Sequence, residues 1–372
     1  MPNQFDIRSR GRSMFTESTS RFARRDVLGW TLRGAVALPL AAALGGTRAA
    51  QAAMQSGVRG QQGKQVTLKV GSSQPTHTEN AHTVFFDKFA AELASRTDGR
   101  VGAIFYGDSQ LGPEDKYPNQ LNSGALDMML AVSDWSPIVP ELGVLTMGFL
   151  FDSIAQLGHV MDGAAGTRLQ GIFAHKTQSE ILAWCVNFGG RNVLSKAPIA
   201  TPAAFRGKKI RVLPSPTYVQ TFRLLGADPV PMSFNEVYIS LQTGVIDGLE
   251  HDSPTILQNK FYEVAKSLTL TQHIFDPLAA VMSRMSLQKL PAADAKAVRQ
   301  AAIAVARYQR PKAAAAAEQA LGVLKQNGVK PIGIDRAKLT EEVKPLWKSF
   351  TGQHPDTKPV LEAILKETGK TL

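Results

Sequence analysis

Cysteine is all but absent: the 372 residues hold one, Cys185, which excludes an internal disulfide framework and any thiolate metal cluster. Set between Trp184 and Val186 with Leu182 nearby, it reads as a buried structural thiol. The spacings that mark common enzymes are missing too. None of the seven histidines falls in His-Glu-x-x-His, and there is no Gly-x-Ser-x-Gly elbow or phosphate-cradling glycine loop. After the N-terminus no apolar run approaches the ~20 residues that cross a membrane. Basic and aromatic residues form no shared patch, so nucleic acid is not an expected partner. No internal repeat or low-complexity domain is evident.

What is present begins with an export signal. Arg21, Arg24 and Arg25 precede an apolar run at 35–44 that ends in small residues, the layout of a secretory peptide. The Arg24-Arg25 pair gives it a twin-arginine character, although Ala23 stands where Ser or Thr is usual. Ala50-Gln51-Ala52 offers small side chains at alternate positions, which places cleavage before Ala53. Arg33 and the short apolar core argue against a membrane anchor. Removing residues 1–52 takes 8 of the 42 basic and 3 of the 31 acidic residues, and the formal charge falls from +11 to +6. The expectation is a processed, monomeric protein in the periplasm, long enough to need two lobes.

Residues 53–65, rich in Gln and Gly, read as a flexible leader. Val66, Leu68 and Val70 then alternate with polar residues as a half-buried strand does, and Phe85, Phe89 and Leu93 follow at helical spacing, with Gly99 as a stop. Apolar runs at 101–106, 126–132, 181–186, 209–213 and 244–249 alternate with helical patterns, which is the signature of an α/β class. The alanine-rich stretch 292–326 predicts a long helix, bent or split at Pro311. It either crosses between lobes or packs along one of them.

The most informative stretch runs from Gly190 to Pro254. It opens with Gly190-Arg191 and passes through Gly-Lys-Lys-Ile-Arg-Val at 207–212 and Leu-Gly-Ala-Asp-Pro-Val-Pro-Met-Ser-Phe at 225–234. It closes with Leu-Gln-Thr-Gly-Val-Ile-Asp-Gly-Leu-Glu at 241–250. Gln110-Leu111-Gly112 before Glu114, and Gly-Ala-Leu-Asp at 124–127, come earlier in the same order. This succession resembles the solute-binding subunit of tripartite ATP-independent periplasmic (TRAP) transporters, of the dicarboxylate-binding type. The resemblance implies a two-lobed, type II periplasmic-binding-protein fold with a long helix spanning the lobes. Lobe I is expected over 66–188 with about 277–316, and lobe II over 189–276 with about 317–372. It also implies a small organic acid as ligand, a small and a large membrane subunit as partners, and uptake driven by an ion gradient.

A carboxylate held in a cleft calls for a planar fork of donors, which arginine supplies. Arg211 lies between Ile210 and Val212 on an expected strand, so its side chain points opposite to theirs. Pattern alone allows a surface ion pair there, whereas the resemblance implies the main carboxylate anchor. Arg191, beside Gly189-Gly190, is a second ligand contact by resemblance or else an interlobe salt bridge. Glu114 is read as accepting from ligand hydroxyl or amino groups, the alternative being a helix N-terminal glutamate favoured by the dipole. His77 falls in the loop after the first strand, where such sheets present ligand groups. Phe234 offers an aromatic face to the ligand or to the core. Glu250 and His251 stand where many members of the family have Glu-Asn, and both are counted as ligand contacts. No cofactor, metal or catalytic residue is expected. Two other classes stay open on sequence: a periplasmic sensory binding protein, and a periplasmic hydrolase or lyase on a similar scaffold.

Overall fold

A computed structural model describes residues 58–372. The expected signal peptide, its cleavage site and the first part of the leader lie outside the described residues. Twelve strands run along the described chain: β1 (Val58–Gln61), β2 (Val66–Gly71), β3 (Val101–Tyr106), β4 (Met128–Leu130), β5 (Ser179–Val186), β6 (Asn192–Ser195), β7 (Lys209–Val212), β8 (Asp228–Pro231), β9 (Gly248–His251), β10 (Ser267–Thr269), β11 (Pro277–Ser283) and β12 (Lys330–Ile332). They form two six-stranded sheets, ordered β1-β3-β2-β4-β11-β5 and β12-β10-β6-β9-β7-β8. The first mixes parallel pairs (β2 with β3 and β4) and antiparallel ones (β11 with β4 and β5). In the second, β7 runs parallel to β8 and β9, and β6 antiparallel to β9 and β10. This is the two-lobed α/β fold, one sheet to each lobe.

The chain crosses between the sheets at 187–191 and again at 270–276. The two crossings continue as a ribbon: the Arg191 N–H donates to the Ile274 carbonyl at 2.8 Å and the His273 N–H to the Arg191 carbonyl at 3.1 Å. A third crossing is the expected long helix, which is split. Helix Ala292–Gln309 packs on helix Ala81–Arg96 and β5, a 3-10 turn at Arg310–Lys312 takes up Pro311, and helix Ala313–Gln326 continues against helix Ser253–Gln258 beside the second sheet. Proline cannot donate within a helix and clashes with the preceding turn, and here Arg310 pins the bend by donating from Nε and Nη2 to the Trp184 carbonyl at 2.9 and 2.6 Å. Cys185 is fully buried beside this contact, and burial, opposed by Arg310, pushes its thiol up to about 12.

Three details differ from the sequence expectation. Residues 58–61, placed in the flexible leader, form β1, an edge strand antiparallel to β3; its short polar sequence carries no alternation to read. The strand expected at 244–249 begins at Gly248, because Gly244 adopts φ +81° and caps the preceding helix. Helix Lys358–Thr368, counted with the second lobe, packs on helices Ile154–Asp162 and Ala164–Lys176 behind the first sheet.

The lobes also share a local unit that the sequence conceals. In the first, a 3-10 turn Glu114–Lys116 leads into helix Tyr117–Ser123, which ends at Gly124 with φ +71°, and Asp127 precedes β4. In the second, turn Phe234–Glu236 leads into helix Val237–Thr243, which ends at Gly244, and Asp247 precedes β9. Each aspartate clamps the neighbouring parallel strand. Oδ2 of Asp127 accepts the Lys69 N–H at 2.7 Å, and Oδ2 of Asp247 accepts the Lys209 N–H at 2.9 Å. Apart from the glycine, the aspartate and Leu121/Leu241, little sequence is shared, so no repeat was evident.

Candidate functional site

The interlobe cleft is closed around a cavity of about 50 Å³, lined from both lobes and from the crossings. Direct bonds fasten its rims. Ser233 Oγ donates to Asp115 Oδ1 at 3.1 Å, Asn259 Nδ2 to Gln74 Oε1 at 3.4 Å, and the Ser136 and Ser215 hydroxyls meet at 3.0 Å.

Arg191, on the first crossing, is fully buried. Its Nε and Nη2 grip the two carboxylate oxygens of Glu250, the latter at 2.8 Å, and Nη2 also donates to the Glu250 carbonyl at 3.1 Å. The antiparallel pairing of β6 and β9, with Val193 opposite Glu250, sets this fork against that carboxylate. Asp276 of the second crossing comes within 3.6 Å of Nη1, and Tyr218 lies under the guanidinium at 5.2 Å. Burial would raise the Glu250 carboxyl, but Arg191 and His273 outweigh it and hold it down at about 2. A fully desolvated pair survives only with its lone pairs and protons satisfied, which this geometry provides.

Arg211 on β7 is different. It too is buried, but it makes no ion pair among the described residues. Nε and Nη2 both donate to the Met232 carbonyl, at 3.1 and 2.8 Å, and Nη1 has no partner. Because β7 and β8 run parallel, with Val212 opposite Pro231, the chain leaving β8 brings Met232 and then Phe234 over the guanidinium, the ring at 5.8 Å. Burial, only partly offset by Glu250, pushes Arg211 down to about 10. A buried guanidinium with an idle N–H costs stability, so it is a donor held ready for an acceptor. His251 meets the edge of Phe234 at 5.6 Å and holds Asp252 through Nδ1 at 2.8 Å. Burial, reinforced by Arg191, lowers its pKa and keeps the ring neutral.

The first lobe supplies acids. Glu114 accepts from the Ser73 hydroxyl, and Asp134 follows β4 on the next turn. Burial and then the neighbouring Asp134 push the Glu114 carboxyl well above the usual range, against the pull of Ser73 and Arg211. Burial likewise raises Asp134. Asp276 accepts from Asn187 Nδ2 at 3.1 Å, and burial, opposed by Arg191, pushes it up to about 7.

Of the residues expected from sequence, Glu114, Arg191, Arg211, Phe234 and His251 line this one cavity. Glu250 does not; it lies wholly buried behind Arg191 and orients it. His77 is a correction. It is exposed and belongs to a surface groove with Arg59 and Glu79, because the loop after β2 turns inward at Ser72–Gln74 and has swung out again by His77. Its place is taken by His82, on the first turn of a helix fixed by the Asn80–Thr83 capping box. The His82 Nδ1 lies 2.9 Å from the Ser72 hydroxyl. Sequence reasoning also passed over Gln74, Asp134, Asn187 and Asp276. The last two announce themselves only as polar residues beside the mostly buried strands β5 and β11. Among the described residues, no group of three or more His, Cys, Asp and Glu is arranged to hold a metal ion, and no helix is long and apolar enough to cross a membrane.

Comparison with known proteins agrees with this geometry. Residues 71–353 match the family model of bacterial extracellular solute-binding proteins, family 7. The 2,3-diketo-L-gulonate-binding periplasmic protein YiaO of Escherichia coli is 32% identical over 295 residues, 78% of this chain and 89% of that one. A TRAP periplasmic solute-binding protein of Chromohalobacter salexigens, solved with bound D-glucuronate, superposes with a TM-score of 0.76 at 30% identity, covering 81% of this chain and 99% of its own. The sugar acid binding protein of Advenella mimigardefordensis, in complex with galactonate, gives 0.77 at 28% identity, with 82% and 99% covered.

Proposed function

Because the chain belongs to family 7 of the bacterial extracellular solute-binding proteins, the capture subunits of TRAP transporters, we propose that its two lobes close around a single sugar acid and present the closed form to a small and a large membrane subunit for uptake. The observation that carries this reading is Arg211: a buried guanidinium beside the cavity which, among the described residues, has no counter-ion and keeps an idle N–H. A ligand carboxylate would accept from that N–H, and Glu114, His82, His251 and Asn187 would accept from or donate to its hydroxyls. Relatives bound to glucuronate and galactonate support the ligand class. Arg191, satisfied by Glu250, shapes the floor of the site.

In this reading the crossings 187–191 and 270–276 with the bend at 310–312 form the hinge. The lobes are then 66–188 with about 277–316, and 189–276 with about 317–372, the last helix excepted. The cavity, about 50 Å³, is smaller than a sugar acid, and in this reading the lobes part to admit one and the ligand then stabilises the closed form. Residues 1–52 direct export to the periplasm and are removed there, and the processed protein acts as a monomer without turnover.

The test is thermal denaturation of the processed protein, freed of carried-over ligand by unfolding and refolding, against sugar, hydroxy, oxo and aromatic acids. At 100 times the Kd a ligand adds about 2.7 kcal/mol, a shift of a few degrees in a chain this long. A sugar-acid shift that vanishes in Arg211→Ala is the expected result. An undiminished shift in the variant, or none with any acid in the wild type, would overturn the reading.

A further inference from the structure

The charges around the cavity do not balance, and the imbalance has a direction. Two arginines reach it, but Arg191 is already matched by the two-pronged grip on Glu250, which leaves Arg211 as the only unmatched cation among the described lining residues. Facing it are three carboxyl groups, Glu114, Asp134 and Asp276. Glu114 has a hydroxyl partner but no cation, and Asp134 takes part in no ion pair among the described residues. Asp276 stands 3.6 Å from an arginine that is already engaged. The neighbouring rings, His82 and His251, are buried and held neutral by that burial, so neither adds a compensating charge. Asp115, the fourth acid of the lining, is spent on Lys116 at 2.9 Å and on Ser233.

We infer that the Glu114–Asp134–Asp276 acid wall opposite Arg211 makes the site selective for acids with one carboxylate, and that it rejects a ligand carrying a second carboxylate at its far end. This rests on the sugar-acid reading and sharpens it. One carboxylate cancels Arg211. A second, confined to the same cavity, has no cation left to meet among the described lining residues and faces carboxyl groups instead. A terminal hydroxyl in the same place donates to those carboxylates and is held. The wall therefore tells a primary alcohol from a carboxylate at the end of an otherwise identical chain, by building repulsion against the wrong ligand as well as attraction for the right one.

Galactonate and galactarate differ only in that terminal group, and their Kd values at pH 8, measured by titration calorimetry on the processed protein, give the test. The wild type should bind galactonate about a hundredfold more tightly than galactarate, as expected for one uncompensated like-charge contact at short range. Asp134→Asn and Glu114→Gln should each narrow that ratio about tenfold, chiefly by tightening galactarate, with folding checked by a cooperative urea transition of unchanged slope. Two separate variants guard against either one failing to fold. Equal affinities in the wild type, or a ratio unmoved in both variants, would overturn the inference while leaving sugar-acid capture intact. Absence of binding by either acid and by every uronate would overturn both.

Discussion

The two lobes build their cavity-facing walls from the same unit and fill it with opposite chemistry. Glu114 and Phe234 open equivalent 3-10 turns, Gly124 and Gly244 end equivalent helices, and Asp127 and Asp247 clamp equivalent strands. From there the units part. β4 and the residues after it read Leu130-Ala131-Val132, all buried, whereas the matching positions on and after β9 are Glu250, His251 and Asp252. In the first lobe the charge sits on the turns, as Glu114 and Asp134, and the strand end is apolar. In the second the charge sits on the strands, as Arg211 and Glu250, and the turn offers an aromatic ring. Backbone and clamp are thus the part the two units share, and the cavity-lining side chains are exchanged on top of it. Closing a wall of acids against a wall holding one free guanidinium gives the cavity its polarity.

The comparison is broken most severely at Glu250. Its counterpart in the first lobe is Leu130, so the second lobe alone carries a buried charge at this point, and its stability depends on the pair with Arg191. Glu250→Gln strands that guanidinium and should cost about 3–5 kcal/mol in urea unfolding at pH 7. The effect has a defined pH dependence. Glu250 is held at about 2 in the folded protein, below its ordinary value of 4.5, so the unfolded chain binds more protons between those limits. The contribution is fully present above 4.5 and is lost as the pH falls toward 2. The gap between wild type and variant should shrink over that window; a gap that is constant with pH would mean that the pair is not the source of the loss.

A smaller effect separates the two clamps. Asp127 accepts the Lys69 N–H and also the Ser286 hydroxyl, at 2.7 and 2.5 Å. The side chain of Asp247 accepts the Lys209 N–H alone. Asp127→Ala should therefore cost about 2–3 kcal/mol and Asp247→Ala about 1 kcal/mol in urea unfolding. Equal losses would show that the helix-to-strand clamp is the whole contribution in both lobes and that the bond to Ser286 adds nothing.

The pattern of what was legible follows from the same physics. Strands β2 and β3 and the helix around Phe85, Phe89 and Leu93 carry the periodicity of one buried and one more exposed face, and they stand out in the sequence. β10 and β11 are buried along their whole length, and a run without alternation gives neither its type nor its limits. The five cavity residues found in advance either lie in the family-like stretch or follow a motif that leads into it. Asp134, Asn187 and Asp276 are ordinary polar residues beside apolar runs, and only the pairing of the two crossings brings the last two together. The repeated unit is not legible in the sequence because its strongest constraints are backbone ones: a left-handed glycine and an N–H to carboxylate clamp fix two positions and leave the others free.

Those two glycines give the finest test of equivalence. Gly124 and Gly244 sit at φ +71° and +81°, where a Cβ meets the following carbonyl at a cost of about 1–2 kcal/mol, offset by about 0.4–1 kcal/mol because alanine restricts the unfolded chain. That balance is the same in both lobes, and the surroundings are not. A Cβ on Gly124 would lie 3.3 Å from the Met285 Cβ and 3.4 Å from its sulfur, whereas one on Gly244 would meet only the Lys196 ammonium, at 3.7 Å. Met285 is itself partly exposed, at 42%, and can yield, so the difference should be small. Both alanine variants should lose about 1 kcal/mol, Gly124→Ala losing a few tenths more, with the urea slope unchanged. Asparagine, which tolerates the left-handed region, should recover part of the loss at Gly244, where there is room for it, and less at Gly124. A larger loss at Gly244 than at Gly124 would show that the capping turns are not equivalent after all, and that the second lobe depends on its turn for more than the geometry of a helix end.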